Sequence, residues 1–179
     1  MILSSPFRRV VVTGVECSGK TTLSTMLAEQ LGWAWVPEAA RTHPEVRSGA
    51  VTEGTFDELH DMQTQMAADA RDTHSGVICD TGDLVLRLWA ETTMGFSWHP
   101  LLPPEPRVDL HILCPCLEDW EEDPLRTLPK LEDRLALEAK YRAHLTLRPH
   151  LVAQGDAPEA RLESILSLIH ISEPTRHRR

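Results

Sequence analysis

The sequence predicts an α/β fold, a parallel sheet covered by helices on both faces, and three observations carry that expectation. Short apolar, β-branched runs alternate with longer segments of helical periodicity along the chain, the order that builds a parallel sheet through helical crossovers. The first such run passes into the first helical segment through a glycine-bearing turn. The length, 179 residues, suits one domain with a real core.

Residues 9–13 (RVVVT) are apolar without alternation and end on Gly14, as a strand buried on both faces does. Residues 20–31 place Leu23, Met26, Leu27 and Leu31 at helical spacing and stop at Gly32. A second strand is expected over 33–36, cut by Pro37. A long helix is expected over 56–73 with Leu59, Met62, Met66 and Ala70 on one face. Residues 77–80 (VICD) read as the third strand, 84–93 as a helix and 108–113 (VDLHIL) as a strand, with the proline-rich 95–107 looping between them. Beyond the polar stretch 120–129, residues 131–147 read as a helix that brings Leu135, Ala139, Arg142 and Leu145 together. Residues 150–153 read as the last strand and 159 onward as the last helix.

Twenty-seven acidic residues against 18 basic ones give a net charge of -9, which repels a phosphate backbone and speaks against a nucleic-acid partner. No apolar run reaches membrane-spanning length and the first nine residues lack a signal-peptide core, so neither a membrane nor export is expected and the compartment reads as cytoplasmic. The four cysteines, Cys17, Cys79, Cys114 and Cys116, do not form a disulfide framework. Cys114-Pro-Cys116 also lacks the spacing and second ligand pair of a zinc finger, so buried thiols are expected.

The turn after the first strand, 14–21 (GVECSGKT), satisfies G-x4-G-K-[ST]. Its glycines allow successive N–H groups to point inward at a phosphate, and the following helix adds its positive end. Gly14, Glu16, Cys17, Ser18, Gly19, Lys20, Thr21 and Thr22 are therefore the candidate nucleotide-binding residues. Lys20 is placed to reach the β- and γ-phosphates and Thr21 to ligate Mg2+, with ATP expected over GTP. In a parallel sheet the ligand lies beyond the strand ends, where this chain carries Glu38-Ala-Ala-Arg41 and Asp80-Thr-Gly-Asp83. Asp80, ending an apolar strand, is assigned with Thr21 to the Mg2+ shell. Glu38 is the candidate catalytic base, with Asp83 as its rival. These residues also admit structural roles: a Glu38–Arg41 salt bridge, and helix capping by Asp80 and Asp83.

In order along the chain, the G-x4-GKT loop, Glu38-x-x-Arg41, Gln63, Asp80-Thr-x-Asp83, Trp89, the strand 109–114, Trp120-x4-Leu125-Arg126 and Arg134 resemble the nicotinamide riboside kinase domain of the bifunctional NAD-biosynthesis regulator and its stand-alone AAA-type ATPase relatives. The resemblance implies a three-layer P-loop NTPase of the nucleoside and nucleotide kinase type. It also implies a short arginine-bearing lid over 120–134, with Arg126 and Arg134 as catalytic phosphate clamps alongside Lys20, Glu38 and Asp80. ATP and Mg2+ are the implied cofactors and a small-molecule nucleoside the implied partner. Trp35, Glu38, Arg41, Gln63 and Asp83 are then candidate substrate ligands, and Trp35, Trp89 and Trp98 candidate stacking rings, although tryptophans in strands and helices also serve as core. The chain departs from the family where Pro37 precedes Glu38 and where Gly82 separates Thr81 from Asp83. A nucleotide-responsive regulatory ATPase or GTPase module is the alternative.

The kinase domain is expected over 1–165. No adenylyltransferase domain precedes Met1, so the expected activity is that of one domain. Residues 166–176 (LSLIHISEPTR) match the translation of a common transposase sequencing adapter, so 166–179 are expected to be a non-native tail.

Overall fold

The computed structural model describes residues 7–101, 107–123 and 125–171. Among these, strands β1 (Arg9–Gly14), β2 (Ala34–Val36), β3 (Val77–Asp80), β4 (Leu110–Cys114) and β5 (His150–Val152) form one parallel sheet in the order β2-β3-β1-β4-β5. The α-helices are α1 (Lys20–Leu31), α2 (Pro44–Ser48), α3 (Glu53–Thr73), α4 (Asp83–Trp89), α5 (Leu131–Leu145) and α6 (Pro158–Ile171).

Alternate residues of the central strands feed two cores. Val10 and Val12 of β1, Ile78 of β3 and Ile112 of β4 pack with Leu23 and Leu27 of α1 and Ile165 and Ile169 of α6. On the other face Val11 and Cys79 meet Ala67 of α3, and Leu113 meets Leu84 and Leu88 of α4 and Leu137, Tyr141 and Leu145 of α5. The result is three layers. β1, β3 and β4 are buried at every position, which is why their sequences lack alternation. Burying one Val or Leu side chain contributes about 1.5–3 kcal/mol, so the middle strands hold the sheet more firmly than the short β2 and β5.

Several sequence expectations are corrected. The buried stripe of α3 is Phe56, Leu59, Gln63 and Ala67, joined by His60, and Met62 is exposed. The stripe is rotated because α3 also packs on a second cluster of Ala40, Val46, Leu86, Ala90 and Trp98. On α5 the buried face is Arg134, Leu137, Glu138, Tyr141 and Leu145, while Leu135 and Leu147 face solvent. The helix expected over 84–93 is α4 followed by a wider π turn, Ala90–Met94, closed by Gly95 at φ 77°. Helix α2, begun by Pro44 and ended by Gly49 at φ 74°, was not anticipated. Cys79 and Cys114 are buried as expected, but Cys17 and Cys116 are only half-buried, and all four are free thiols. Helix α6 runs across residue 165, with Leu166 and Ile169 packed on the α1 side of the sheet. Residues 172–179 of the expected tail and 102–106 of the proline-rich loop lie outside the described residues. No described helix is long and apolar enough to cross a membrane.

Candidate active site

The turn after β1 is shaped by three residues at positive φ, Gly14 at 143°, Cys17 at 55° and Gly19 at 76°. A Cβ on Gly14 would stand 2.5 Å from the Cys114 carbonyl oxygen, so only glycine fits there. Gly19 precedes α1 with no side-chain cap, which leaves the helix's first N–H groups for an anion. Ser18 Oγ donates to Val15 O at 2.8 Å, and Lys20 Nζ bends back to Val15 O at 2.7 Å. From behind, Arg161 of α6 is almost fully buried and donates to Ser18 O, Gly155 O and Pro115 O at 2.7, 2.7 and 3.4 Å.

Sheet register brings the acids to this loop. Val12 pairs with Asp80, and Thr21 Oγ1 donates to Asp80 Oδ2 at 2.6 Å. Burial raises the Asp80 carboxyl above the usual carboxylate range, while the Thr21 hydrogen bond and the Lys20 charge pull it back. Its second oxygen, Oδ1, is buried with no hydrogen-bond partner. The next residue, Thr81, sits at φ 100°, a conformation that costs a β-branched side chain about 1–3 kcal/mol. A free carboxylate oxygen beside a hydroxyl fits a hydrated Mg2+, a hard cation that takes oxygen ligands. Among the described residues no group of three or more His, Cys, Asp or Glu could hold a metal, so water and phosphate oxygens would complete the shell.

Val36 pairs with Cys79, so the chain leaving β2 delivers Glu38 next to Asp80. Gln63 of α3 fixes that turn: its Oε1 accepts from Ala39 N at 2.9 Å and its Nε2 donates to Pro37 O at 3.1 Å. Burial raises the Glu38 carboxyl, the Lys20 charge opposes the shift, and the Asp80 charge reinforces it. Arg41 Nε pairs with Glu38 Oε2 at 3.2 Å, and Arg41 Nη1 pairs with Asp123 Oδ2 at 3.0 Å.

The phosphate loop, Glu38 and Arg41 open onto one cleft of about 400 Å3. Its polar lining includes the phosphate loop from Gly14 to Thr22 with Glu38, Arg41, Asp119, Glu121 and Arg126, and its apolar and aromatic lining includes Val46, Leu86, Trp89, Trp120, Leu125 and Tyr141, with Thr92 and Thr93 of the π turn. Phe56 holds Trp89 with ring centroids 4.9 Å apart.

The structure therefore gathers the eight loop residues, Lys20, Glu38, Arg41 and Arg126 in one cavity, with Asp80 reaching it through Thr21. Four expected site residues lie elsewhere. Trp35 donates its indole N–H to Ser24 Oγ at 2.9 Å and lies outside the cleft lining. Gln63 is spent on the Pro37 and Ala39 backbone, and Asp83 pairs with Arg148 at 3.2 Å. Arg134, expected as a phosphate clamp, lies outside the cleft lining: it is buried, donates to Asp119 O and Glu118 O at 2.9 and 3.0 Å, and lies 5.3 Å from the Trp120 ring centroid. The stacking candidate Trp98 is core, its indole N–H bonded to Asp57 at 2.9 Å. Sequence reasoning missed Tyr141 and the threonines of the π turn as lining, and Arg161 as the brace of the loop.

A protein-family model described as an AAA domain matches residues 9–158. The chain is 27% identical over 169 residues to a shikimate kinase of Thermosynechococcus vestitus, covering 89% of this chain and 88% of that one. Its structure is similar to a NadR protein in complex with NR, with a TM-score of 0.71 and 18% identity over 97% of this chain and 53% of that one. It is also similar to a deoxyadenosine kinase from M. mycoides, with a TM-score of 0.64 and 12% identity over 91% of this chain and 99% of that one. The chain thus spans about half the length of the NadR chain, and what it shares with both structures is the parallel-sheet P-loop kinase fold.

Proposed function

The chain belongs to the AAA domain family, and from that premise we propose that it is an ATP-dependent phosphotransferase whose acceptor is nicotinamide riboside or a related nucleoside. Glu38 carries the assignment. It is a carboxylate raised by burial that opens onto the same cleft as the phosphate loop, where a general base for a hydroxyl is needed.

Lys20 and the loop N–H groups bind the nucleotide phosphates. Thr21 and Asp80 would hold Mg2+, which when bound offsets phosphate charge. Glu38 takes the acceptor proton as the hydroxyl oxygen bonds to the γ-phosphorus and ADP leaves. Arg126, on the cleft wall, offsets charge on the transferring group, a role worth about 10^3 to 10^5 in rate for arginine fingers. Trp89 and Trp120 supply aromatic faces for a flat ring. Arg41 is held by the shielded carboxylates of Glu38 and Asp123, whereas Arg126 pairs at 3.4 Å with the exposed Glu121 carboxylate, a weaker hold, which supports an uncharged or cationic acceptor over a carboxylated one such as shikimate. The NadR complex with NR and the deoxyadenosine kinase point the same way.

The test is ATP consumption against a panel of nucleosides plus shikimate, with mass spectrometry of the products. One phosphorylated nucleoside is expected. ATP hydrolysis indifferent to every acceptor would instead support a nucleotide-responsive regulatory module. Lys20→Ala should abolish turnover. Glu38→Gln should keep ATP affinity while losing about 10^2 to 10^4 in phosphorylation rate, the range of general base catalysis; loss of ATP binding in that variant would contradict the role given to Glu38.

A further inference from the structure

Glu16 is the third residue of the phosphate loop, and its carboxylate is turned away from the loop's own N–H groups onto a different segment. Oε2 accepts from Thr127 N at 2.8 Å and Leu128 N at 2.9 Å, and Oε1 accepts from Thr127 N at 3.0 Å and Thr127 Oγ1 at 3.2 Å. Beside it, Cys17 Sγ accepts from Glu121 N at 3.4 Å and donates to Glu121 O at 3.5 Å. Two adjacent loop residues thus fasten the chain on both sides of Arg126, which itself donates to Glu121 O and pairs with the exposed Glu121 carboxylate at 3.4 Å.

We propose that Glu16 is a positioning residue for phosphoryl transfer: by holding the Thr127 and Leu128 amides to the phosphate loop, it sets where Arg126 stands over the nucleotide. The chemistry favours this carboxylate over a neutral side chain. A carboxylate accepts without donating, so it satisfies two backbone N–H groups and a hydroxyl together, and charge-assisted bonds are the stronger kind. Arg126 and Thr127 are consecutive, so an anchor at Thr127 leaves the arginine backbone little freedom, and Arg126 is a lining residue of the cleft. The anchor comes from the loop that binds the phosphates, so the cation and the phosphate site share one frame. Preorganisation of that kind is what makes a charge effective in catalysis.

The inference rests on Arg126 being the cation for the terminal phosphate, and its test needs no acceptor. Full-length wild type, Glu16→Ala, Arg126→Ala and the double variant are titrated calorimetrically with ADP and with the non-hydrolysable analogue AMP-PNP, each with Mg2+. Amide exchange at Thr127 and Leu128 is followed by NMR. Arg126→Ala should lower the AMP-PNP to ADP affinity ratio about tenfold, Glu16→Ala by a similar factor, and the pair by no more than about twofold beyond either, since residues acting as one unit are non-additive. ADP affinity itself should stay within about threefold, because loop N–H groups and Lys20 hold the shared phosphates. Exchange at both amides should accelerate in Glu16→Ala. Unchanged exchange, or full additivity of the two substitutions, would overturn the proposal. A ratio unchanged in Arg126→Ala would remove its premise, whereas failure of every acceptor in the nucleoside panel would count against the kinase reading and leave these titrations standing.

Discussion

The Glu38 carboxyl shows what assembling the site does to stability. Its folded-state pKa is raised, chiefly by burial, so between the unfolded pKa and the raised folded value the native state holds the extra proton. Stability then falls as pH rises through that window and stays reduced above it. Glu38→Gln removes the penalty at the residue that the mechanism needs charged. At pH 7 and above the variant should melt at a higher temperature than wild type, and the difference should vanish below the ordinary carboxylate range, where both side chains are neutral. Thermal melts between pH 4 and 8 in the absence of nucleotide check this. A variant destabilised at pH 8 would mean that the Arg41 pair, at 3.2 Å, outweighs burial. Arg126 and Arg134 make the complementary contrast. Both stood in the same expected lid, yet one lines the cleft and the other is buried against two carbonyls and the Trp120 ring.

Element by element, the sequence revealed most where one signal dominates. β1, β3 and the start and stop of α1 were legible because buried parallel strands are unbroken apolar runs and Gly19 and Gly32 sit in the left-handed conformation that bounds the helix. Helix faces were less so, because the apolar spacing that fits α3 fits two stripes, and the choice depended on a second cluster invisible in local sequence. Arg161, which sequence reasoning missed, and Arg134, which it placed in the lid, left a signal of that kind. Arg161 lies four and eight residues before Ile165 and Ile169, and Arg134 three and seven before Leu137 and Tyr141, so each occupies the buried stripe of its helix. A lone cation on such a stripe has to find carbonyls. Gln63 belongs to the same class, a polar residue on the buried face of α3 that spends both ends of its amide on the Glu38 turn. Gln63→Leu should cost about 1–3 kcal/mol by leaving the buried Ala39 N–H unpaired. It should also lower kcat while leaving nucleotide affinity unchanged, because the phosphate loop belongs to other elements. Denaturant melts and steady-state kinetics read the two effects, and a stability loss with wild-type kcat would reduce Gln63 to a purely structural bond.

Across the whole molecule, the strand order β2-β3-β1-β4-β5 decides which distant segments can cooperate. Setting β1 between β3 and β4 brings the loop 14–21, Glu38 beyond β2, Asp80 on β3 and the chain after β4 to one edge of the sheet. Several groups at this edge are incompletely satisfied: Asp80 Oδ1 is buried without a hydrogen-bond partner, Thr81 is in a strained conformation, and Lys20 is turned onto its own loop. A nucleotide with Mg2+ would supply partners to several of these groups at once. Binding to the native state alone stabilises it by RT ln(1 + [L]/Kd), about 2.7 kcal/mol at a hundredfold excess over Kd. For a domain of this size that corresponds to roughly 5–11 °C in Tm. AMP-PNP with Mg2+ should therefore raise the melting temperature by several degrees, and Lys20→Ala should abolish the rise at the same concentration. Amide exchange should slow on both sides of the cleft, at 14–21 and also at 38–41 and 125–128, because one ligand would touch all three segments. Protection confined to 14–21 would mean that the phosphate loop binds nucleotide without drawing in Glu38 and Arg126, and the edge would then be a nucleotide site without a transfer site.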